Sequence, residues 1–158
     1  MSQKLHIEHG PANNPERVAN EDYRAVSVER IGPTHYRATN KDGATLDFGL
    51  GEGLLNPVEL LLAAIAGCSA VDVDMVTTRK IEPEVFKVLS SGIKQHEDGA
   101  VRLDDIEVDF DVAFDSSEEG AKAASKVDRM IARSAEKDCT VSRTVEHATH
   151  VTFRNING

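Results

Sequence analysis

The alternation of apolar and polar positions divides the chain into strand-like and helix-like stretches. From Asp22 onward, Tyr23, Ala25, Val26 and Val28 read as a strand, and Gly32-Pro33 then turns the chain. Tyr36 and Ala38, followed beyond Asp42-Gly43 by Ala44, Leu46 and Phe48, alternate with polar residues. Asp-Gly between alternating segments is a hairpin signal, so the opening predicts three short antiparallel strands. Leu60 to Ala66 breaks this rhythm, being apolar at every position. Asn56-Pro57-Val58-Glu59 ahead of it reads as a helix start: Asn56 caps, Pro57 takes the first helical position, and Glu59 can return a bond to the cap. The helix is predicted to reach about Thr78. A helix that is apolar all round is buried all round. At ~1.5 Å per residue it extends roughly 33 Å, as long as a small domain is wide. A homodimer in which two copies share the covering of this helix is the simplest solution.

Pro83 ends the helical region. Phe86, Val88 and Ile93 open a new strand zone, Asp98-Gly99 turns, and Ile106, Val108, Phe110, Val112 and Phe114 alternate without fault. That pattern predicts a strand with one buried face. Ser116 and Ser117 followed by Glu118 and Glu119 open a second helix with the acidic first turn that the helix dipole favours. Its stripe is Ala121, Ala124, Val127, Ile131 and Ala135, and it fades near Lys137. Cys139-Thr140-Val141-Ser142 predicts a short helical turn, and Val151 and Phe153 a closing strand. The fold class expected is α+β, with antiparallel β-sheets packed on a long central helix. Residues 1–20 are polar, contain Pro11, Asn13, Asn14 and Pro15, and read as a flexible arm. Residues 21–158 then form a single domain.

A chain of 158 residues can bury a real core. Its net charge of −9 opposes phosphate binding and argues against a nucleic-acid partner. Met1-Ser2-Gln3-Lys4-Leu5-His6 carries no apolar stretch after its charge, so no secretory signal is expected. Leu60 to Ala66 alone is too short to span a bilayer. A cytoplasmic address, with no membrane partner, is the expectation. Gly49, Gly51 and Gly53 do not make a dinucleotide fingerprint, because Leu54 stands where the last glycine is needed. They read as a flexible loop, and no cofactor is expected. His147 and His150, three apart on the predicted last strand, face opposite sides. With Cys139 they lack a fourth ligand, so no metal is expected either. Asp72 and Asp74 fall on different helix faces, and Asp72 reads as the end of an apolar stripe.

The chain has two cysteines, Cys68 and Cys139. Two thiols at structurally marked places in a cytosolic-looking chain suggest thiol chemistry more than a disulfide scaffold. Taken alone, Cys68 suits a small buried hydrophobe as well as a nucleophile. Its mid-helix position gives little help from the helix N-terminus, so a cation must come from elsewhere in the fold. Cys139 stands at an expected helix start, where free N–H groups favour a thiolate, with Asp138 acting against it. The bland alternative is a small residue filling a tight turn.

The stretch Pro57-Val58-Glu59-Leu60-Leu61-Leu62-Ala63-Ala64-Ile65-Ala66-Gly67-Cys68, with Ala70-Val71-Asp72-Val73 after it and Cys139-Thr140-Val141-Ser142 far downstream, resembles the OsmC/Ohr family, the osmotically inducible and organic-hydroperoxide-resistance proteins. The resemblance spans residues 22–157 and is strongest to the uncharacterised OsmC-like branch. It implies an intertwined homodimer with two long central helices and active sites at the subunit interface. It also implies a hydroperoxide reductase, with Cys68 as the peroxidatic and Cys139 as the resolving cysteine. The Cys68 thiolate would become a sulfenic acid, Cys139 would condense with it to a disulfide, and an external dithiol would restore both. Family peroxidases activate the thiol with a glutamate and an arginine. Their glutamate position is Val58 here. Glu59 lies nine residues before Cys68, on the opposite face of an ideal helix, and suits the capping role. Arg30 and Arg37 lie near the family arginine, and Thr140 stands where a proline often follows the second cysteine. These departures support an alternative: a binding module for a small apolar ligand without efficient peroxidase activity.

Overall fold

The computed structural model describes residues 10–156, in which helices and antiparallel strands are mixed. Two compact units emerge: Met1–Pro57 with His150–Gly158, and Val58–Thr149. Residues 1–9 of the expected arm lie outside the described residues. Its remainder is less loose than its composition suggests. Pro11–Asn13 forms a tight 3-10 turn and Pro15–Val18 a single helical turn, α1. Asn14 caps α1 by accepting the Arg17 N–H at 2.9 Å, and Pro15 supplies the preset φ of a first helical position. The Tyr23 hydroxyl ties this segment down, its one proton shared between Asn13 Oδ1 at 2.8 Å and the Ala12 carbonyl at 3.1 Å.

The first unit holds the three predicted strands, β1 (Val26–Gly32), β2 (His35–Asn40) and β3 (Thr45–Gly49), in a sheet of order β1-β2-β3 with antiparallel pairing throughout. Asn40 shapes the β2–β3 turn: its side-chain oxygen accepts the N–H groups of Asp42 and Ala44, at 3.0 and 2.9 Å. Phe48 is buried and stacks on Tyr36 with ring centroids 5.8 Å apart. The glycine loop after β3 is hydrogen-bonded, with the Gly49 N–H reaching the Leu55 carbonyl at 3.0 Å. Gly49 at φ +153° abuts the Thr34 carbonyl so closely that a Cβ has no room.

The second unit is built on α2 (Pro57–Thr77), within a residue of the predicted end. By length and composition this helix could cross a membrane. Its buried residues, Ile65, Ser69, Val73 and Thr77, follow helical spacing and mark a face packed within the unit. The all-round burial expected of α2 is therefore not met within one chain. Leu61, Val71 and Met75 are 38%, 56% and 65% exposed.

After α2, β4 (Val85–Glu97) and β5 (Ala100–Ala113) form a long hairpin turned by Asp98-Gly99, both at positive φ. On β5 the half-buried Ile106, Val108, Phe110 and Val112 alternate with exposed acidic residues, as predicted. Ser117 caps α3 (Glu118–Ala124), accepting the Gly120 N–H at 3.0 Å. The predicted second helix is then interrupted: α4 (Val127–Arg133) runs into a π-turn, Ser134–Asp138, and α5 is Thr140–Glu146.

The closing strand is absent from residues 150–156. Val151 and Phe153 alternate as a strand should, yet they stand 62% and 90% exposed. A strand exists only where a neighbour pairs with it, and alternation cannot supply that neighbour. His147 accordingly sits at the C-terminal cap of α5 rather than on a strand.

Val73 is fully buried. Val73→Ala is expected to cost about 2 kcal/mol, the lost methyl burial plus a residual cavity. Ser117→Ala, which removes a cap bond, should cost about 1 kcal/mol. Denaturant midpoints at constant slope check both values.

Candidate functional site

Cys68 and Cys139 meet in the second unit, because α2 presents one and the junction between the π-turn and α5 presents the other. On α2, Cys68 lies at the border between the buried face of Ile65, Ser69 and Val73 and the exposed apolar face of Leu61, Val71 and Met75. It is partly accessible, whereas Cys139 has no solvent exposure. The two thiols interact directly, each altering the ionisation of the other.

Cys139 is the N-cap of α5, and its sulfur accepts the Ser142 N–H at 3.4 Å. This is the helix-start setting that the sequence predicts. Its own N–H donates to the Ser134 carbonyl at 2.9 Å, the five-residue bond that closes the π-turn. Asp138, expected to oppose a Cys139 thiolate, is paired with Arg133 at 2.7 Å.

Burial and hydrogen bonding act on the two sulfurs with different outcomes. Burial opposes ionisation of Cys139. Bonds from the Ser142 side chain and backbone, from the Ser69 hydroxyl and from the Cys68 thiol outweigh it, and its pKa falls below the ordinary thiol value. Burial likewise pushes the Cys68 thiol up. The Val141 N–H opposes this, but Cys139 and the Asp72 carboxylate raise it further. The leading influences on Cys68 include no cation.

Beside the pair lies a hydroxyl network that the sequence reading misses. The Ser134 hydroxyl donates to Asp72 Oδ2 at 2.7 Å, and the hydroxyls of Ser134 and Ser69 are 3.0 Å apart. Ser134 is fully buried and Ser69 nearly so. Asp72 is thus not the end of an apolar stripe but the acceptor of a buried hydroxyl. Its spacing to Ser69, three residues along one helix, is the signal that could have found it. Ser134 carries no such signal, because the π-turn that aims it is not written in hydrophobic periodicity.

A cavity of about 200 Å³ opens next to this network. Ile65 and Ser69 of α2, Ile106, Val108 and Phe110 of β5, and Val145 of α5 line it. Its walls are mainly apolar, and the Ser69 and Ser142 hydroxyls and the Glu146 carboxylate are the polar side chains that line it.

Arg37 on β2 holds Asp47 through two bonds of 2.7 and 2.9 Å, which hold the Asp47 carboxyl below its usual range. Arg30 lies on β1 opposite Tyr36. Glu59 and Val58 stand in the first turn of α2. Among the described residues no group of three or more His, Cys, Asp or Glu is placed to hold a metal ion.

Comparison with known proteins bears on this arrangement. A family profile described as OsmC-like protein matches residues 49–154, which span both cysteines. A hypothetical protein from Aquifex aeolicus is 26% identical, with 78% of this chain and 86% of that chain covered and a TM-score of 0.61. An OsmC-like protein of unknown function from Vibrio cholerae is 13% identical, with 78% and 93% covered and a TM-score of 0.55. An OsmC-like protein from Mycoplasma pneumoniae is 14% identical, with 80% and 89% covered and a TM-score of 0.56. No curated protein matches the chain. With the family profile spanning most of the chain, both thiols included, this protein belongs to the OsmC-like family.

Proposed function

We propose that the protein is a cytoplasmic, homodimeric thiol peroxidase that reduces hydroperoxides, with Cys68 as the peroxidatic and Cys139 as the resolving cysteine. The observation that carries this reading is the direct interaction of a partly accessible thiol with a fully buried one. Attack on a peroxide needs access, which Cys68 has. Resolution needs a thiolate next to the sulfenic acid, and the hydrogen bonds around Cys139 favour its thiolate. In the first step the Cys68 sulfur takes the terminal peroxide oxygen, the O–O bond breaks, and an alcohol or water leaves. In the second, Cys139 attacks the Cys68 sulfenic acid, an S–S bond forms and water is released. An external dithiol then reduces the disulfide.

Exposed Leu61, Val71 and Met75 on α2 support the dimer. These residues share a helix face that borders Cys68, so a second copy covering them would also wall the peroxidatic thiol. Exposed Val151 and Phe153 are a further apolar surface for a partner to cover.

A second reading, an apolar-ligand binding module on the same fold, is favoured by the raised pKa of Cys68 and by the largely apolar cavity beside the network. It predicts slow, non-saturating thiol oxidation and a co-purifying apolar ligand.

With hydroperoxide and dithiol present, Cys68→Ser is expected to reduce consumption to the level of buffer alone. Cys139→Ser should leave Cys68 oxidisable but trapped as a sulfenic acid that dimedone captures. Turnover that survives Cys68→Ser would sink the peroxidase reading, and an unmodified Cys68 after peroxide challenge would favour the binding module. Sedimentation equilibrium should give twice the chain mass, and Val71→Asp with Met75→Glu should shift it to one chain. A wild-type monomer would contradict the dimer.

A further inference from the structure

The sides of α5 differ in chemistry. Ser142, Val145 and Glu146 line the apolar cavity described above. Thr140, Arg143, Thr144 and His147 recur at helical spacing on another side and line a second cavity, of about 390 Å³. Lys137 of the π-turn, three residues before Thr140, extends that side, and Ala148 and Thr149 beyond the His147 cap complete the wall. No acidic side chain lines this cavity, and every lining side chain except Ala148 is basic or carries a hydroxyl. The chain has 27 acidic side chains against 18 lysines and arginines. A cavity lined by three bases and no acid therefore runs against the overall charge.

The protein does not neutralise these bases itself. Among the described residues the ion pairs are made by His35, Arg37, Arg102, Lys122 and Arg133, and none by Lys137, Arg143 or His147. The acids nearest in sequence are directed elsewhere. Asp138 pairs with Arg133 at 2.7 Å, Glu146 lines the apolar cavity, and Glu136 offers Arg143 its backbone carbonyl. That bond, 2.8 Å from Arg143 Nη1, ties the guanidinium to the π-turn and uses one of its five N–H donors. The donors left over form a fork whose geometry matches phosphate oxygens. The Thr144 hydroxyl gives its proton to the Thr140 carbonyl at 2.7 Å, so it can only accept. Among the described residues the Thr140 and Thr149 hydroxyls donate to no protein acceptor.

We propose that this cavity is an anion site that takes the phosphate group of a small molecule. Lys137 and Arg143 supply positive charge, His147 a ring N–H, and Thr140 and Thr149 hydroxyl donors. A phosphate dianion balances the two cations and offers three acceptor oxygens, one more than a carboxylate. The volume lies within the range of small-molecule sites, about 300–1,000 Å³, and leaves room for an organic body beside the phosphate. The lining residues are exposed, so the ligand is held by charge and exchanges with solvent. The site holds neither thiol and is independent of the redox roles proposed for Cys68 and Cys139.

Backbone and arginine Nε–H NMR signals of the full chain are followed in low salt at about pH 7.5, where a phosphate monoester is mostly dianionic. The probes are inorganic phosphate, glycerol phosphate and succinate, with chloride at matched ionic strength as the reference. Phosphate is expected to shift the signals of Lys137, Thr140, Arg143 and His147 along a saturating curve, with a Kd on the order of 1 mM. Lys137→Gln and Arg143→Gln should each weaken binding by about threefold to fivefold. Arg143→Gln also loses the bond to the Glu136 carbonyl, whereas Lys137→Gln removes charge alone. Lys137→Arg, which keeps the charge, should bind as wild type does. Lys94→Gln removes the same charge from an exposed position on β4 and should leave the Kd unchanged. Equal binding of the two phosphates supports recognition of the phosphate group alone, and tighter binding of glycerol phosphate supports a site that also holds the organic body. Succinate binding more tightly than both phosphates overturns the assignment. So do shifts that chloride reproduces, shifts that do not saturate, or a Lys94→Gln loss equal to that of Lys137→Gln.

Discussion

One constraint organises the second unit: a long apolar helix places polar side chains on the face it buries, and each must find a partner there. An unpaired buried hydroxyl costs about 1–3 kcal/mol. Ser69 on α2 meets this demand by reaching Ser134, and Ser134 by reaching Asp72 one turn further along the same helix. That requirement fixes where the π-turn sits against α2. The π-turn in turn fixes Cys139, because its closing bond runs from the Cys139 N–H to the Ser134 carbonyl. The meeting of the two thiols is therefore a consequence of how buried hydroxyls are satisfied.

The same arrangement gives the thiols unequal characters. Cys68 is accessible but destabilised as a thiolate by burial and by the nearby Asp72. Cys139 is inaccessible but surrounded by donors. A second copy lying over Leu61, Val71 and Met75 would change the surroundings of Cys68 far more than those of Cys139, which is already enclosed.

Much of this was legible in the sequence where local physics decides structure. The Asp42-Gly43 and Asp98-Gly99 turns, the alternation from Ile106 to Val112, the start of α2 at Pro57 and the Ser117 cap all follow from turn chemistry and periodicity, and the structure shows them. The position of Cys139 at a helix start was also readable. What failed depends on partners distant in the chain. Val151 and Phe153 have strand alternation but pair with no strand among the described residues. Asp72 looked like the end of a stripe because its partner lies 62 residues away, on a π-turn that departs from the 3.6-residue repeat.

The fold divides the labour between an accessible thiol that resists ionisation and a buried one that favours it. NMR titration of the wild-type protein with isotopically labelled cysteine, in its reduced state, measures both ionisations at once. The account predicts that Cys139 ionises below the ordinary thiol range and Cys68 above it. Ionisation in the opposite order would contradict it.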